Sequence, residues 1–572
     1  MPNFFIDNPD IGLCLAALDL DRCISLREGE FAEAGEYEFA PRDAQEAREQ
    51  YEELLRLAGD ITGEFVAPRA ESVDREGNTY RDGEVVLHPA LRESIRRFRE
   101  ADLMGLSLPR RYGGLNVPLP VKTAVIEMVA RADASLMNIV GLQDIAETIE
   151  QFAPEDLKQE VLPRLCSGAD TAAMVLTEPD AGSDLGSVRL RAEPEDEARG
   201  LWRLSGAKRF ITNGCGEVLV VLARSEPDAP GARGLSCFLV RKGPGVRIRR
   251  IEDKLGIHGS PTCEIQFTRA PARLIGQRRR GLIEAAMEMM NGARIGIAAQ
   301  AIGIAEAAAR EARRYAVARV QFGRAIRLMP PVYEMLANMR LRIEAARALT
   351  YRAAWVVEIL KGLQRRVQAG AATPEQTQEA RLLVRLAAAV TPLAKYYASE
   401  TANRVASDAI QVLGGSGYMR DYPVERHFRD ARITNIYEGT SQLQVVGAIG
   451  GITSGVLCAH LDELLAQALA GPARDLAEQV KALRPKLDEA VAVHKKGDQD
   501  FRELYARRVV DLALEVYLAT LLLLQVPNSP ERKRAVAEAF LGEMRPRALE
   551  NAAAVLEGSR LLIEKHRTII GG

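Results

Sequence analysis

The chain has 572 residues, 47% of them hydrophobic and 27% charged, with a formal net charge of −2. That length supplies roughly three or four domains of ordinary size, and the balanced charge gives no electrostatic case for nucleic acid or an anionic membrane surface as a partner. The seven cysteines include no CxxC pair and no metal-ligand spacing, and their odd number excludes a complete disulfide framework, so a reducing cytoplasm and no metal are expected.

In chain order, the first residues, Met-Pro-Asn-Phe-Phe-Ile-Asp-Asn, lack the basic segment and apolar run of a secretory leader. Residues 1–45 mix acidic and aromatic residues without a period and are expected as an irregular arm on a larger body. Over 42–63 the spacing turns helical, with Tyr51, Leu54, Leu55 and Leu57 on the apolar side. Further helices are predicted over 91–101, 120–134, 136–152 and 155–166, so residues 46–168 form an N-terminal α-helical domain.

Residues 169–276 change texture. Short β-branched and apolar runs at 172–177, 188–192, 201–204, 218–223, 235–240, 246–251 and 263–267 alternate with Gly, Pro, Asn and Asp, the pattern of a compact β-barrel or sandwich. Residues 277–452 read as a C-terminal four-helix-bundle domain. Its first helix, 282–318, is apolar nearly all round from Ile295 to Ala308 and is therefore buried, with Gly296 and Gly303 allowing close helix approach. Pro330-Pro331 opens a second helix to about 368, and Pro374 a third to about 413. Residues 453–572 form an extra helical domain. Its most apolar stretch, 509–526, is interrupted by Asp511 and Glu515, too short and too charged for a transmembrane segment. The fold class is α+β in the order α, β, α and a further α.

The chemistry gathers in 429–444, Arg-Asp-Ala-Arg-Ile-Thr-Asn-Ile-Tyr-Glu-Gly-Thr-Ser-Gln-Leu-Gln. Glu438 follows an apolar pair and precedes Gly439, while Thr440 or Ser441 can cap the next helix. A carboxylate held against apolar neighbours has its pKa raised by desolvation and can serve as a base. Elsewhere, Met174-Val-Leu-Thr-Glu-Pro-Asp-Ala-Gly-Ser-Asp184 and Lys208-Arg-Phe-Ile-Thr-Asn-Gly214 place hydroxyls and an aromatic at turns that suit a flat ring or phosphate oxygens; each also reads as an ordinary turn. His258 has no partner spacing and reads as structural or solvated, and Arg278-Arg279-Arg280 as a solvated helix start. Asn291 and Arg294 interrupt the apolar helix, and a buried Arg needs a partner, functional or structural. Gln411-Val-Leu-Gly-Gly-Ser-Gly417 lacks the preceding strand of a dinucleotide turn, which excludes nicotinamide binding there.

Thr-Glu-Pro-Asp-Ala-Gly-Ser-Asp, Phe-Ile-Thr-Asn-Gly, Arg-Val-Gln-Phe-Gly, Gln-Val-Leu-Gly-Gly-Ser-Gly-Tyr and Arg-Asp-Ala-Arg-Ile-Thr-Asn-Ile-Tyr-Glu-Gly-Thr occur in an order and spacing that resemble the acyl-CoA dehydrogenase family over residues 45–450. The resemblance implies an FAD enzyme that converts an acyl-CoA to a trans-2-enoyl-CoA in fatty acid β-oxidation and passes electrons to an electron-transfer flavoprotein. An oxidase using oxygen, or a specialised dehydrogenase such as one for methylthio-propionyl-CoA, is the alternative. It implies Glu438 as the catalytic base. The position used by some relatives for the base, just before Arg294, holds Ala293, which cannot take a proton. Met174, Thr177, Ser183, Phe210 and Thr212 match FAD contacts of the β domain; Arg319, Gln321, Phe322, Gln411 and Gly415 match contacts to its adenosine half, the last two across to a neighbouring subunit; Thr440 and Gln442 match further FAD contacts. Ser183, Asn291, Arg294 and Gly439 match substrate-side positions. Phe210 stands where many members have Trp, and Leu328-Met329-Pro330 carries none of the amides common in the family, so one pyrophosphate or adenine contact is not expected from it. A homodimer or homotetramer is expected, with the extra helices favouring the dimer.

Overall fold

The structure is a computed structural model that describes residues 2–571. The arm departs from its expected irregularity. Pro9–Ala16 and Leu20–Arg27 are helices, the second capped by Asp19, which accepts from the Arg22 N–H at 3.2 Å. Eight residues carry too few periods to show in a sequence, and helices this short are marginal alone. Burial of Ile11, Cys14, Cys23 and Ile24, with packing on the long helix Pro330–Gln368, holds them.

The helix expected over 136–152 is broken into Ala134–Gly141, a tight turn Leu142–Asp144, and Ile145–Phe152. Asp133 caps the first piece, accepting from the Ser135 N–H at 2.7 Å. The break matters because it turns Gly141, Leu142 and Asp144 into the wall of a cavity.

The middle region is one sheet of seven strands: β1 Ala172–Val175, β2 Arg191–Asp196, β3 Leu201–Thr212, β4 Val218–Arg224, β5 Leu235–Arg241, β6 Val246–Ile251 and β7 Thr262–Ile275. The order is β1-β4-β2-β3-β7-β5, with β6 on β7, and a further β4–β5 pairing closes the sheet on itself. Closure leaves only the short β1 and β6 with an unpaired edge and buries Trp202, Phe238 and Phe267 inside.

Three long helices follow: Met287–Ala318, Pro330–Gln368 and Pro374–Leu413. The first is buried from Ile297 to Ala308, as its all-round apolar pattern requires. Of the two glycines expected to allow close approach, Gly296 and Gly303, only Gly303 is dictated by it. A methyl there would stand 2.4 Å from the Glu127 carbonyl and 2.7 Å from the Arg131 nitrogen, whereas one at Gly296 would meet only the Met137 side chain at an ordinary 3.5 Å.

The extra domain, from Val456–Ala470 to Leu561–Ile570, packs around Gln499–Leu523. That helix is longer than the expected 509–526. Contrary to expectation, Gln499–Asn528 is long and apolar enough to cross a membrane, but 89% of its apolar window is buried in the protein, as the core helix of a packed domain. A buried charge network joins this domain to the rest. Arg347 pairs with Asp10 of the arm, with Glu127 at 2.7 Å and with Glu306 at 3.0 Å. Lys533 of the extra domain pairs with the same Asp10 and with Glu344 at 2.7 Å.

Candidate active site

The helix Val424–Thr434 stops at Asn435, and Thr440 caps the next, Ser441–Thr453, by accepting from the Leu443 N–H at 3.4 Å. Between them lies a tight loop with two successive left-handed residues, Glu438 at φ 54° and Gly439 at φ 88°. Glycine takes that conformation freely; a glutamate does not, at a cost of about 1–3 kcal/mol, and persists there only when the surroundings over-determine it. They do so here. Lys395 Nζ donates to the Gly439 carbonyl at 2.7 Å, and Gln444 Nε2 donates to the same carbonyl at 2.8 Å and to that of Glu438 at 3.1 Å. Tyr437 donates its hydroxyl to Gln300, whose amide donates to the Ala134 carbonyl at 2.9 Å.

The electrostatics of this loop are those of an acid near neutrality. Burial pushes the Glu438 carboxyl up to about 7, against the opposing pull of Lys395 and Arg294. Burial likewise pushes the Lys395 ammonium down to about 8, with Glu438 partly offsetting it. Arg294 is lowered by its burial too, with Glu438 again acting the other way, and its Nη1 donates to Asn291 Oδ1 at 3.0 Å. A carboxyl poised near 7 can take or give a proton at working pH.

On the β side, Glu178 accepts from the N–H groups of Arg189 at 2.8 Å and Leu190 at 2.9 Å. Lys208, fully buried, pairs with Glu178 at 3.0 Å and donates to the Leu176 carbonyl at 2.6 Å. These bonds pin the loop that presents Thr177, half-buried, and Ser183, exposed. The β3–β7 register slips between Lys208 and Ile211, leaving a bulge at Phe210. A bulge re-aims side chains: Phe210 takes φ 61° and is 51% exposed, while Thr212, just beyond, is half-buried.

Met174, Asn291 and Ala293 line one cavity of about 260 Å³ with Leu142 and Thr391. Ala293 precedes Arg294 and Thr391 lies one helical turn before Lys395, so the cavity is walled by the same helices that carry the two cations facing Glu438. The structure does not fold the remaining expected residues into this buried centre. Arg319, Gln321 and Phe322 stand on an exposed hairpin, Val320–Gln321 with Arg324–Ala325, where Phe322 is 95% exposed at φ 50°. Gln411 and Gly415 are exposed at the end of Pro374–Leu413, beside that hairpin, since the Tyr315 hydroxyl lies 3.4 Å from Ser416 Oγ. Thr440 is half-buried and Gln442 exposed. His258 is structural: Asp74 raises it to about 9, and its ring bridges Asp74 and the Lys254 carbonyl.

Sequence reasoning missed Lys395, Gln444 and Gln300. Lys395 had a signal, a lone cation in the apolar run Ala387-Ala-Ala-Val-Thr-Pro-Leu-Ala-Lys395, where a charge needs a partner. Gln300, a polar residue on an otherwise apolar buried helix, had the same kind.

Models of four protein families match the chain: the N-terminal domain of acyl-CoA dehydrogenase over residues 48–169, its middle domain over 173–270, its C-terminal domain over 280–447, and a further acyl-CoA dehydrogenase C-terminal model over 453–552. An acyl-CoA dehydrogenase of Bacillus subtilis is 39% identical over 398 residues, 68% of this chain and 94% of that one. An NADH-dependent acryloyl-CoA reductase of Anaerotignum propionicum is 36% identical over 405 residues, 70% of this chain and 93% of that one. The crystal structure of an acyl-CoA dehydrogenase of Bacillus anthracis complexed with FAD superposes with a TM-score of 0.75 over 89% of this chain and 88% of that one, at 22% identity, a likeness of fold that extends into the extra domain.

Proposed function

The chain belongs to the acyl-CoA dehydrogenase family, and on that footing we propose that it is an FAD-dependent oxidoreductase that desaturates an acyl-CoA thioester to the trans-2-enoyl-CoA, with Glu438 as its base. The observation that carries this reading is the Glu438 loop: a carboxyl at about 7, in a strained conformation held by Lys395 and Gln444, beside a cavity. The residues present fit FAD. Phe210 is an aromatic turned outward by a bulge at the price of a strained backbone, which suits a flat ring laid against it. Met174, Thr177, Ser183 and Thr212 would hold the ring end, Thr440 and Gln442 the chain beyond it. FAD, when bound, supplies the acceptor for the hydride that leaves the β-carbon.

The protein's own part is to place and time one proton transfer. Asn291 and Arg294 orient the acyl-CoA from the buried helix, with Ser183 and Gly439 on the opposite side. Glu438 takes the α-proton onto its carboxylate, and substrate filling the cavity excludes water and sharpens its basicity. The backbone N–H of Glu438, in the left-handed turn, donates to the thioester oxygen as negative charge develops. The exposed hairpin of Arg319, Gln321 and Phe322, with Gln411 and Gly415, serves the adenosine half of FAD in a homodimer or homotetramer. Electrons pass to an electron-transfer flavoprotein, in fatty acid β-oxidation, in a reducing cytoplasm where all seven cysteines stay free.

Glu438→Gln tests the assignment. The variant is expected to purify yellow and to lose anaerobic bleaching by acyl-CoA by about 10²–10⁴-fold, the ordinary contribution of a positioned base. A colourless wild-type protein, or bleaching at the wild-type rate in the variant, refutes it. The acryloyl-CoA reductase among the relatives favours a second reading, the same proton and hydride transfers run towards the saturated thioester. NADH-driven reduction of an enoyl-CoA faster than desaturation of its partner would decide for that direction.

A further inference from the structure

The cavity beside the Glu438 loop ends on charge, not on hydrocarbon. Near Asn291 and Ala293 its walls are largely apolar, but five residues back along the same helix, about 7.5 Å of rise, stands Glu288. There Lys361 Nζ pairs with Glu147 at 2.8 Å and with Glu288 at 3.1 Å. The other Glu147 oxygen pairs with buried Lys122 at 2.9 Å, and Lys122 also binds Asp144, which lines the cavity. The triad is a partition and not an outer wall. Glu147, Glu288, Lys361 and Gln364 also line an open groove of about 750 Å³, between the arm and Pro330–Gln368.

A terminal methyl pressed against this partition strips water from three ionised groups and returns no hydrogen bond, which is costly. A hydroxyl returns one. The sign of the charge narrows the choice. Three carboxyls, Asp144, Glu147 and Glu288, meet two ammonium groups, Lys122 and Lys361, with Arg27 beyond them; burial pushes Asp144 up, while Lys122, Lys361 and Arg27 outweigh burial at Glu147 and hold it well below the carboxylate range. The partition therefore has carboxylate oxygens to spare as acceptors, and a carboxylate ending would add a fourth beside the three already there.

We propose that the acyl group this chain accepts carries a hydrogen-bond donor such as a hydroxyl at its far end, seated on the Lys361–Glu147–Glu288 partition, in preference to a plain alkyl chain of the same length or one ending in a carboxylate. The inference rests on the dehydrogenase reading, which places the reacting carbons beside Glu438. An ω-hydroxyacyl chain of medium length would lay its alkyl part along the apolar walls and give its hydroxyl to the partition.

The test uses the holoenzyme and non-reacting thioether analogues, S-octyl-CoA, S-(8-hydroxyoctyl)-CoA and S-(7-carboxyheptyl)-CoA, titrated by calorimetry, alongside anaerobic flavin bleaching by the matching acyl-CoAs. The hydroxyl analogue is expected to bind at least tenfold more tightly than the alkyl one, and the carboxylate analogue more weakly than either. Lys361→Met is expected to reverse the hydroxyl-to-alkyl ratio. Glu288→Gln, which keeps the shape and removes one acceptor charge, is expected to narrow the gap to the carboxylate analogue and serves if the first variant fails to fold. Equal or tighter binding of the alkyl analogue to the wild type overturns the proposal, as does a ratio unmoved by both variants. Bleaching by none of the acyl-CoAs would instead strike the dehydrogenase reading and take this inference down with it.

Discussion

The Glu438 loop and the Arg347 network both bury ionisable side chains, and they treat them in opposite ways. In the network, burial alone would raise the carboxyls of Asp10 and Glu306; Arg347 with Lys533 for the one, and Arg340 with Arg347 for the other, outweigh it and hold both well below the carboxylate range. Glu127, which shares Arg347 with them, is the exception and is raised by its burial. In the loop, burial wins. Glu438 rises to about 7 although Lys395 and Arg294 oppose it, because Lys395 gives its short bond to a carbonyl and Arg294 gives one to Asn291. Direct pairing locks a charge in place; a cation near but not bonded leaves a carboxyl free to exchange protons. Buried ionisable groups mark structure in the first arrangement and chemistry in the second.

Breaking the network should be the largest effect. Arg347→Met leaves Asp10, Glu127 and Glu306 short of their common partner and is expected to cost about 3–5 kcal/mol, read as a fall in the unfolding midpoint with the flavin spectrum of the folded fraction unchanged. Gly303→Ala probes the same region through the backbone. Its methyl would strike the Glu127 carbonyl at 2.4 Å, and overpacking of this kind costs about 1–3 kcal/mol; unchanged stability would mean that the two helices can separate without disturbing the charges. At the loop, Lys395→Met removes one of two donors to the Gly439 carbonyl and the cation that acts most strongly on Glu438. It is expected to lower kcat about tenfold, the worth of one charge-assisted bond, and to move the midpoint of the kcat/KM profile above its wild-type value near 7. An unshifted midpoint would reduce Lys395 to a structural role.

The smallest effect is the pH dependence of stability, and the two regions oppose each other in it. A carboxyl raised in the folded state binds its proton more tightly folded than unfolded, so stability is lost as pH rises from the ordinary carboxylate value through the folded one. Glu438 and Asp430, each raised to about 7, chiefly by burial, therefore weaken the fold as pH rises to about 7, from 4.5 for Glu438 and from 3.8 for Asp430. Asp10 and Glu306, both lowered, contribute stability above the ordinary carboxylate value and lose it as pH falls below that value. Thermal midpoints recorded across this range should decline more gently in Glu438→Gln than in the wild type on the alkaline side and run parallel to it on the acid side.

How far the sequence could be read depended on the range of the interaction. The long helices announced themselves through Pro330, Pro374 and the unbroken apolar run after Ile295, and the β strands through their alternation with turn residues, because each signal is local. The arm helices were invisible, since eight residues hold too few turns and their stability comes from Pro330–Gln368. The break at Leu142–Asp144 was equally hidden, for no Pro or Gly pair announces it.

At the site, Glu438, Gly439 and Thr440 could be picked out because a carboxylate, a left-handed glycine and a cap must be neighbours in the chain to make that loop. What holds the carboxyl near neutrality could not, since Lys395 and Arg294 lie 43 and 144 positions before it and meet it only after the bundle closes. Residue order governs backbone conformation over a few bonds. Desolvation and the distance between charges are properties of the packed interior, and they exist only once distant segments have excluded water together.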